Sequence, residues 1–251
     1  MKRWKLFVLF AMTAVVLTGC QSVENGEGFF YSTFVKPMNF LLDFLGNTIF
    51  NGSYGLAIIT ITVLIRLILM PFMLKNYRSQ AVMRVKMDEI KPKMDEIQKN
   101  LKAVESKEEQ RALQQEMMQV YRSAGVNPIN MGCLPMLIQL PIIMGLYFAI
   151  SHSADVKSHE FLWFSLGSPD MIMTAVAGII YFIQSKVSLA TVPEAQKAQM
   201  KLMMYISPIM IVFISFSSMA ALPLYWSVGG FILIVQTYIG KKYYSDLPKQ
   251  S

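Results

Sequence analysis

The sequence predicts an all-α membrane protein of five transmembrane helices carrying a cytoplasmic antiparallel helical hairpin, and three observations predict it. Hydrophobic residues fill 54% of the 251 positions and charged residues only 16%, with a positive mean hydropathy, a composition of membrane chains. Five apolar stretches, roughly 54–74, 131–151, 169–188, 202–221 and 223–240, are near the ~20 residues a helix needs to cross a bilayer. Lysine and arginine are segregated: seventeen fall on the side holding the 75–128 and 189–201 connections and the C-terminus, against two, Lys36 and Lys157, on the other. Basic loops stay inside, so the long connection and the C-terminus are read as cytoplasmic.

Taken in order, the chain opens with a targeting segment at 1–19. "MKRWK" is a basic leader, "LFVLFAMTAVVLT" a short apolar run, and Leu17-Thr18-Gly19-Cys20 has the form of a lipobox. Cleavage before Cys20 would leave that thiol lipidated at an outward-facing N-terminus. Within the extracytoplasmic segment 20–53, residues 28–50 are aromatic and apolar but interrupted by Lys36, Pro37 and Asp43. They read as an amphipathic helix lying in the outer interface rather than a sixth span.

The core is 54–244, with a hairpin at about 76–126 and a cytoplasmic tail at 245–251. Met83, Met87, Ile90, Met94, Ile97, Leu101 and Val104 alternate by four and three, and the stripe resumes at Leu113, Met117, Val120 and Ala124. Two stripes joined by the polar "ESKEE" predict antiparallel arms, the first bent at Pro92. The third span is weak: its apolar run ends at Ile183, before Gln184 and Lys186, which implies local thinning or snorkelling.

Arg66 is the residue these elements leave unexplained. It sits in the middle of the first span, and its guanidinium cannot escape by losing a proton. Burying it costs from about 2.5 kcal/mol upward. Snorkelling falls short, since Lys75 is nine residues away, about 13 Å along the helix. No Asp or Glu lies well inside a span to pair with it. The remaining solution is a hydrated cavity within the bundle. Thr62, one turn earlier, shares its face. Gln139, Gln184 and Gln236 are amides in or near the second, third and fifth spans, equally readable as packing hydrogen bonds between helices. Tyr225 and Trp226 begin the fifth, where an interface anchor competes with a cavity role.

The sequence holds no nucleophile triad, phosphate loop, zinc motif or acid pair, so it is read as a non-enzyme without a cofactor. His152 and His159 read as solvated loop residues, too few for a metal site. Acidic residues interleave with the basic ones along the hairpin (Asp88, Glu89, Asp95, Glu96), which argues against nucleic-acid binding. Without intramembrane carboxylates a proton-coupled transporter is disfavoured. An anion channel or transporter remains as a competitor, as does a scaffold that assembles proteins after Sec insertion.

The runs "RLILMPFMLKNYRSQAVMRVKMDEIKPKM", "YRSAGVNPINMGCLPMLIQLPIIMGLYFAI", "YFIQSKVSLAT" and "LPLYWSVGGFILIVQTYIG" resemble, in this order, YidC-type membrane protein insertases of the YidC/Oxa/Alb family. The resemblance covers essentially all of 54–244; with the lipobox, it is to the Gram-positive lipoprotein form. It implies a hydrophilic groove open to cytoplasm and lipid but closed outside, with Arg66 inside it and Thr62, Gln184 and Trp226 at groove positions. Gram-negative members commonly carry a tyrosine where Trp226 stands, so Tyr225 shares that candidate role. The resemblance also implies nascent membrane proteins as substrates, with acidic translocated tails drawn toward Arg66 and the hairpin helping to receive them. A Sec translocase, the ribosome and signal-recognition targeting machinery are candidate partners. A monomer in the bacterial cell membrane is expected to suffice.

Overall fold

A computed structural model describes residues 26–126, 133–192 and 194–244. The lipobox with Cys20, the tail 245–251 and the linker 127–132 lie outside the described residues.

The segment read as interfacial is helical almost throughout. Two α-helical pieces, α1 (Gly28–Phe30) and α2 (Lys36–Asp43), alternate with wider π-helical stretches at Tyr31–Val35 and Phe44–Ile49. Its inner side buries Val35 and Leu42, while Lys36 and Asp43 stay exposed. The chain reverses at Asn51 and Gly52, both with positive φ, and enters α3 (Tyr54–Ala103).

Helix α3 is unbroken for 50 residues, about 75 Å. The first apolar stretch and the first basic arm are therefore one helix, with no loop between them. Pro71 and Pro92 both lie inside it, each deleting one backbone donor. After a short turn, α4 (Lys107–Ser123) packs back against the distal part of α3. Met94, Ile97 and Val120 are buried there, flanked by Ile90, Leu113, Met117 and Tyr121. These are the positions the four-and-three stripe picks out, plus Tyr121, whose hydroxyl burial pushes above the ordinary phenol range.

Helix α5 (Cys133–His152) follows, then the short α6 (Ala154–Ser158) and a two-stranded turn, β1 (Glu160–Phe161) paired antiparallel to β2 (Phe164–Ser165). This turn was not anticipated from the residue pattern. Its tip, Leu162, takes a left-handed φ of 56°. Neither histidine is a plain loop residue: His152 ends α5, and His159 packs its ring 4.9 Å from that of Tyr54.

Three long helices complete the core: α7 (Met171–Leu189), α8 (Glu194–Ser217) and α9 (Ala221–Tyr244). Among the described residues four helices are long and apolar enough to cross a membrane, and Gln139–His152 of α5 is a shorter apolar one. Helix α9 is the central element, packed on α3 at one side and α7 at the other, with α8 outside α7. Small residues allow that approach. A Cβ at Gly240 would lie 2.6 Å from the Tyr77 ring of α3, the close helix contact that small residues permit in membranes. The Lys186 ammonium sits 4.6 Å from the centre of the Phe182 ring, one turn back along α7. A cation over an aromatic face is attracted by the ring's negative π surface.

Candidate functional site

Twelve residues of helix separate Arg66 from Tyr54, about 18 Å, so the guanidinium lies deep within the ~30 Å that a bilayer core spans. Thr62 is one turn nearer the helix start, on the same face, and 2% exposed. Its hydroxyl donates to the Ile58 carbonyl at 2.7 Å, so it is satisfied within its own helix and leaves Arg66 untouched.

Across from them stands α9. A Cβ on Gly229 would lie 3.4 Å from one terminal guanidinium nitrogen of Arg66, 3.9 Å from its Nε and 3.8 Å from the Thr62 methyl. The missing side chain at 229 is the seat of the arginine. One turn earlier on α9 is Tyr225, and two turns later is Gln236. Offsets of four and seven keep all three on one helix face. The Gln236 Nε2 donates to the Arg66 carbonyl at 3.1 Å, and its side chain is wholly buried.

Thr62, Ile65, Arg66, Gln139, Ile142, Leu146 and Tyr225 enclose a cavity of about 10 Å³, room for about one water molecule. Among the described residues the Arg66 guanidinium has neither a carboxylate partner nor a hydrogen bond. Its neighbours in this wall are the polar Thr62, Gln139 and Tyr225 and the aliphatic Ile65, Ile142 and Leu146. Such a site can attract negative charge. The described residues also contain no cluster of metal-ligating side chains.

Of the residues singled out from sequence, the structure brings Thr62, Arg66, Gln139 and Tyr225 to one cavity wall. Gln184 and Trp226 do not line it. Gln184 donates to the Ser188 hydroxyl at 2.9 Å, a bond within α7, and the half-buried Trp226 packs on the apolar cluster beside Tyr225. Gly229 was missed, and its one available signal was the Gly229-Gly230 pair inside an apolar span.

The 60Kd inner membrane protein family matches residues 45–247. The chain is also 49% identical over 257 aligned residues to the membrane protein insertase YidC of Staphylococcus aureus strain JH9, an alignment covering all of this chain and 89% of that protein. The same figures hold for the YidC proteins of strains Newman and USA300.

Proposed function

The chain belongs to the 60Kd inner membrane protein family, and on that premise we propose that it is a membrane protein insertase working by electrostatic attraction rather than covalent catalysis. The observation that carries the mechanism is the half-buried Arg66 guanidinium, seated against Gly229 without a carboxylate partner among the described residues. A nascent protein's short hydrophilic tail enters a hydrated groove on this face, drawn by Arg66 when the tail is acidic. Its apolar segment then slides into lipid along the rim. In a medium of reduced dielectric the attraction between opposite charges is several-fold stronger than in water. The one-water space at Arg66 is the closed state of that groove, which widens as the tail enters.

In this reading five spans surround the groove, the whole of α5 joining the four long apolar helices as the second of them, with Thr62, Gln139, Gln184, Tyr225 and Trp226 as groove-facing residues. The distal half of α3 and α4 form a cytoplasmic hairpin whose exposed methionines, such as Met118, suit contact with varied apolar segments. The mature N-terminus is lipidated at Cys20 and outside, and the C-terminus is cytoplasmic. A monomer suffices, with Sec translocase and ribosome as occasional partners, and it also helps its substrates fold.

The test is insertion of a small acidic-tailed membrane protein into liposomes containing this protein alone. Protease-protected product that depends on Arg66 supports the reading. A requirement for Sec translocase in every case would leave a post-insertion scaffold, and steady anion flux without substrate would leave a channel.

A further inference from the structure

A second cavity, of about 390 Å³, opens where α7 and α9 end against the middle of α3. Its walls include Tyr77 and Arg84 of α3, Thr191 just beyond α7, and Gly240, Lys241 and Tyr244 at the end of α9. The shared level is fixed by contacts: Tyr77 bonds the Thr237 hydroxyl at 2.8 Å, and Arg84 donates from a terminal nitrogen to the Ala190 carbonyl at 3.2 Å. The apolar runs of α7 and α9 give way to Lys186 and to Lys241 and Lys242 near this level, the basic edge expected at the depth of phospholipid headgroups.

We propose that this cavity binds the phosphate headgroup of an anionic phospholipid of the cytoplasmic leaflet. Arg84 and Lys241 supply two positive charges. The bond to Ala190 uses one of the five guanidinium N–H groups of Arg84, and that planar fork suits phosphate. The Tyr244 hydroxyl adds a donor. Asp88 also lines the cavity, with its carboxylate oxygen 3.9 Å from the Arg84 Nε. It holds Arg84 toward the site and reduces the wall to a single net positive charge, matching one phosphodiester. What selects a lipid over free phosphate is the surface that leads there. Phe231, Val235 and Tyr238 are exposed along α9 at helical spacing, an apolar track for acyl chains that ends beside Lys241. The headgroup would brace the base of the long helix against the last one, away from Arg66.

The experiment uses the full-length protein in micelles with dioleoyl-phosphatidylglycerol, dioleoyl-phosphatidylcholine as zwitterionic control, and inorganic phosphate as soluble control. Lipid retained on the intact protein is read by native mass spectrometry. Phosphatidylglycerol should be retained over phosphatidylcholine, and Lys241→Gln should lower its retention about five-fold, the worth of one surface cation toward an anionic lipid. Arg84→Gln added to it should lower retention further, and Asp88→Asn should raise it. Lys241 is exposed, so that variant keeps its fold, which a melting curve checks. Equal retention of the two lipids, no change in Lys241→Gln, or displacement of phosphatidylglycerol by millimolar phosphate would each overturn the proposal.

Discussion

Gln236 holds the backbone of Arg66: its Nε2 reaches the Arg66 carbonyl at 3.1 Å across 170 residues of sequence. The last span is thereby tied to the first at the level of the half-buried cation, while the guanidinium has no hydrogen-bond partner among the described residues. Anchoring the main chain and sparing the side chain separates the structural task at this position from the functional one.

That separation predicts different outcomes for Arg66→Lys and Arg66→Ala. Lysine keeps the charge and should retain much of the insertion activity. Alanine should lower insertion of an acidic-tailed substrate about ten-fold, equivalent to ~1.4 kcal/mol on the barrier, without lowering the melting temperature. Neutralising the tail should shrink the difference. Equal losses for both variants, matched by falling stability whatever the tail, would instead assign Arg66 a structural role built on guanidinium geometry.

Gln236 itself is predicted to matter modestly for stability. Its Oε1 is buried without a partner among the described residues, so Gln236→Leu removes an unsatisfied acceptor together with one hydrogen bond. Interhelical hydrogen bonds in membranes average about 0.6 kcal/mol, and the leucine variant should melt within a few degrees of wild type. Gln236→Ala leaves a void and should cost about 2 kcal/mol or more. Thermal unfolding in detergent, followed by size-exclusion fluorescence, distinguishes the two.

At Gly229 the expectation is graded by size. Alanine meets the guanidinium at 3.4 Å, a contact a flexible side chain can relieve, and gains helix propensity of up to ~1 kcal/mol. It should be tolerated. Isoleucine would occupy the arginine's seat and cost about 1–3 kcal/mol in overpacking. It should also abolish the preference for acidic tails in the insertion assay.

Charges placed in the α3–α4 contact should unfold it locally. Met94 is 1% and Ile97 3% exposed, so Met94→Asp and Ile97→Asp bury an unpaired carboxylate. Hydrogen exchange should then lose protection over Lys107–Ser123 while Met171–Leu189 and Ala221–Tyr244 keep theirs. Lys93→Asp, on the exposed side, is the silent control. Protection lost throughout would mean that the contact is not an independent unit.

The lipid anchor is tested by intact mass. Wild type should carry a diacylglyceryl-modified Cys20 at its new N-terminus, and Cys20→Ser should retain residues 1–19 without lipid. Activity should fall only partly, because the apolar helices still hold the body in the membrane. An unmodified mature N-terminus in wild type would remove the lipoprotein assignment.

What the sequence made legible was local and periodic. Thr62 and Arg66 share a face because four residues make about one helical turn, and Met87, Met94, Ile97 and Val120 announce their burial by spacing alone. The rest depended on partners far along the chain. Gly229 matters only because Arg66 lies opposite, and no local rule says which of several glycines faces a cation. Gln184 and Gln236 looked alike as amides in spans, yet one bonds within its own helix and the other bridges two. The unbroken run of α3 was hidden by its composition, which changes from apolar to charged near Lys75 although the backbone does not.

That continuity has a mechanical consequence. A 50-residue helix is a lever, with its distal end about 55 Å from Arg66. Pro71 and Pro92 each interrupt the hydrogen-bond ladder, giving the lever two compliant joints about 30 Å apart. A load on the far end, such as a docking partner, acts on both joints, and through the longer arm on Pro71, five residues beyond Arg66. The bending moment is therefore greatest at the joint nearest the cation.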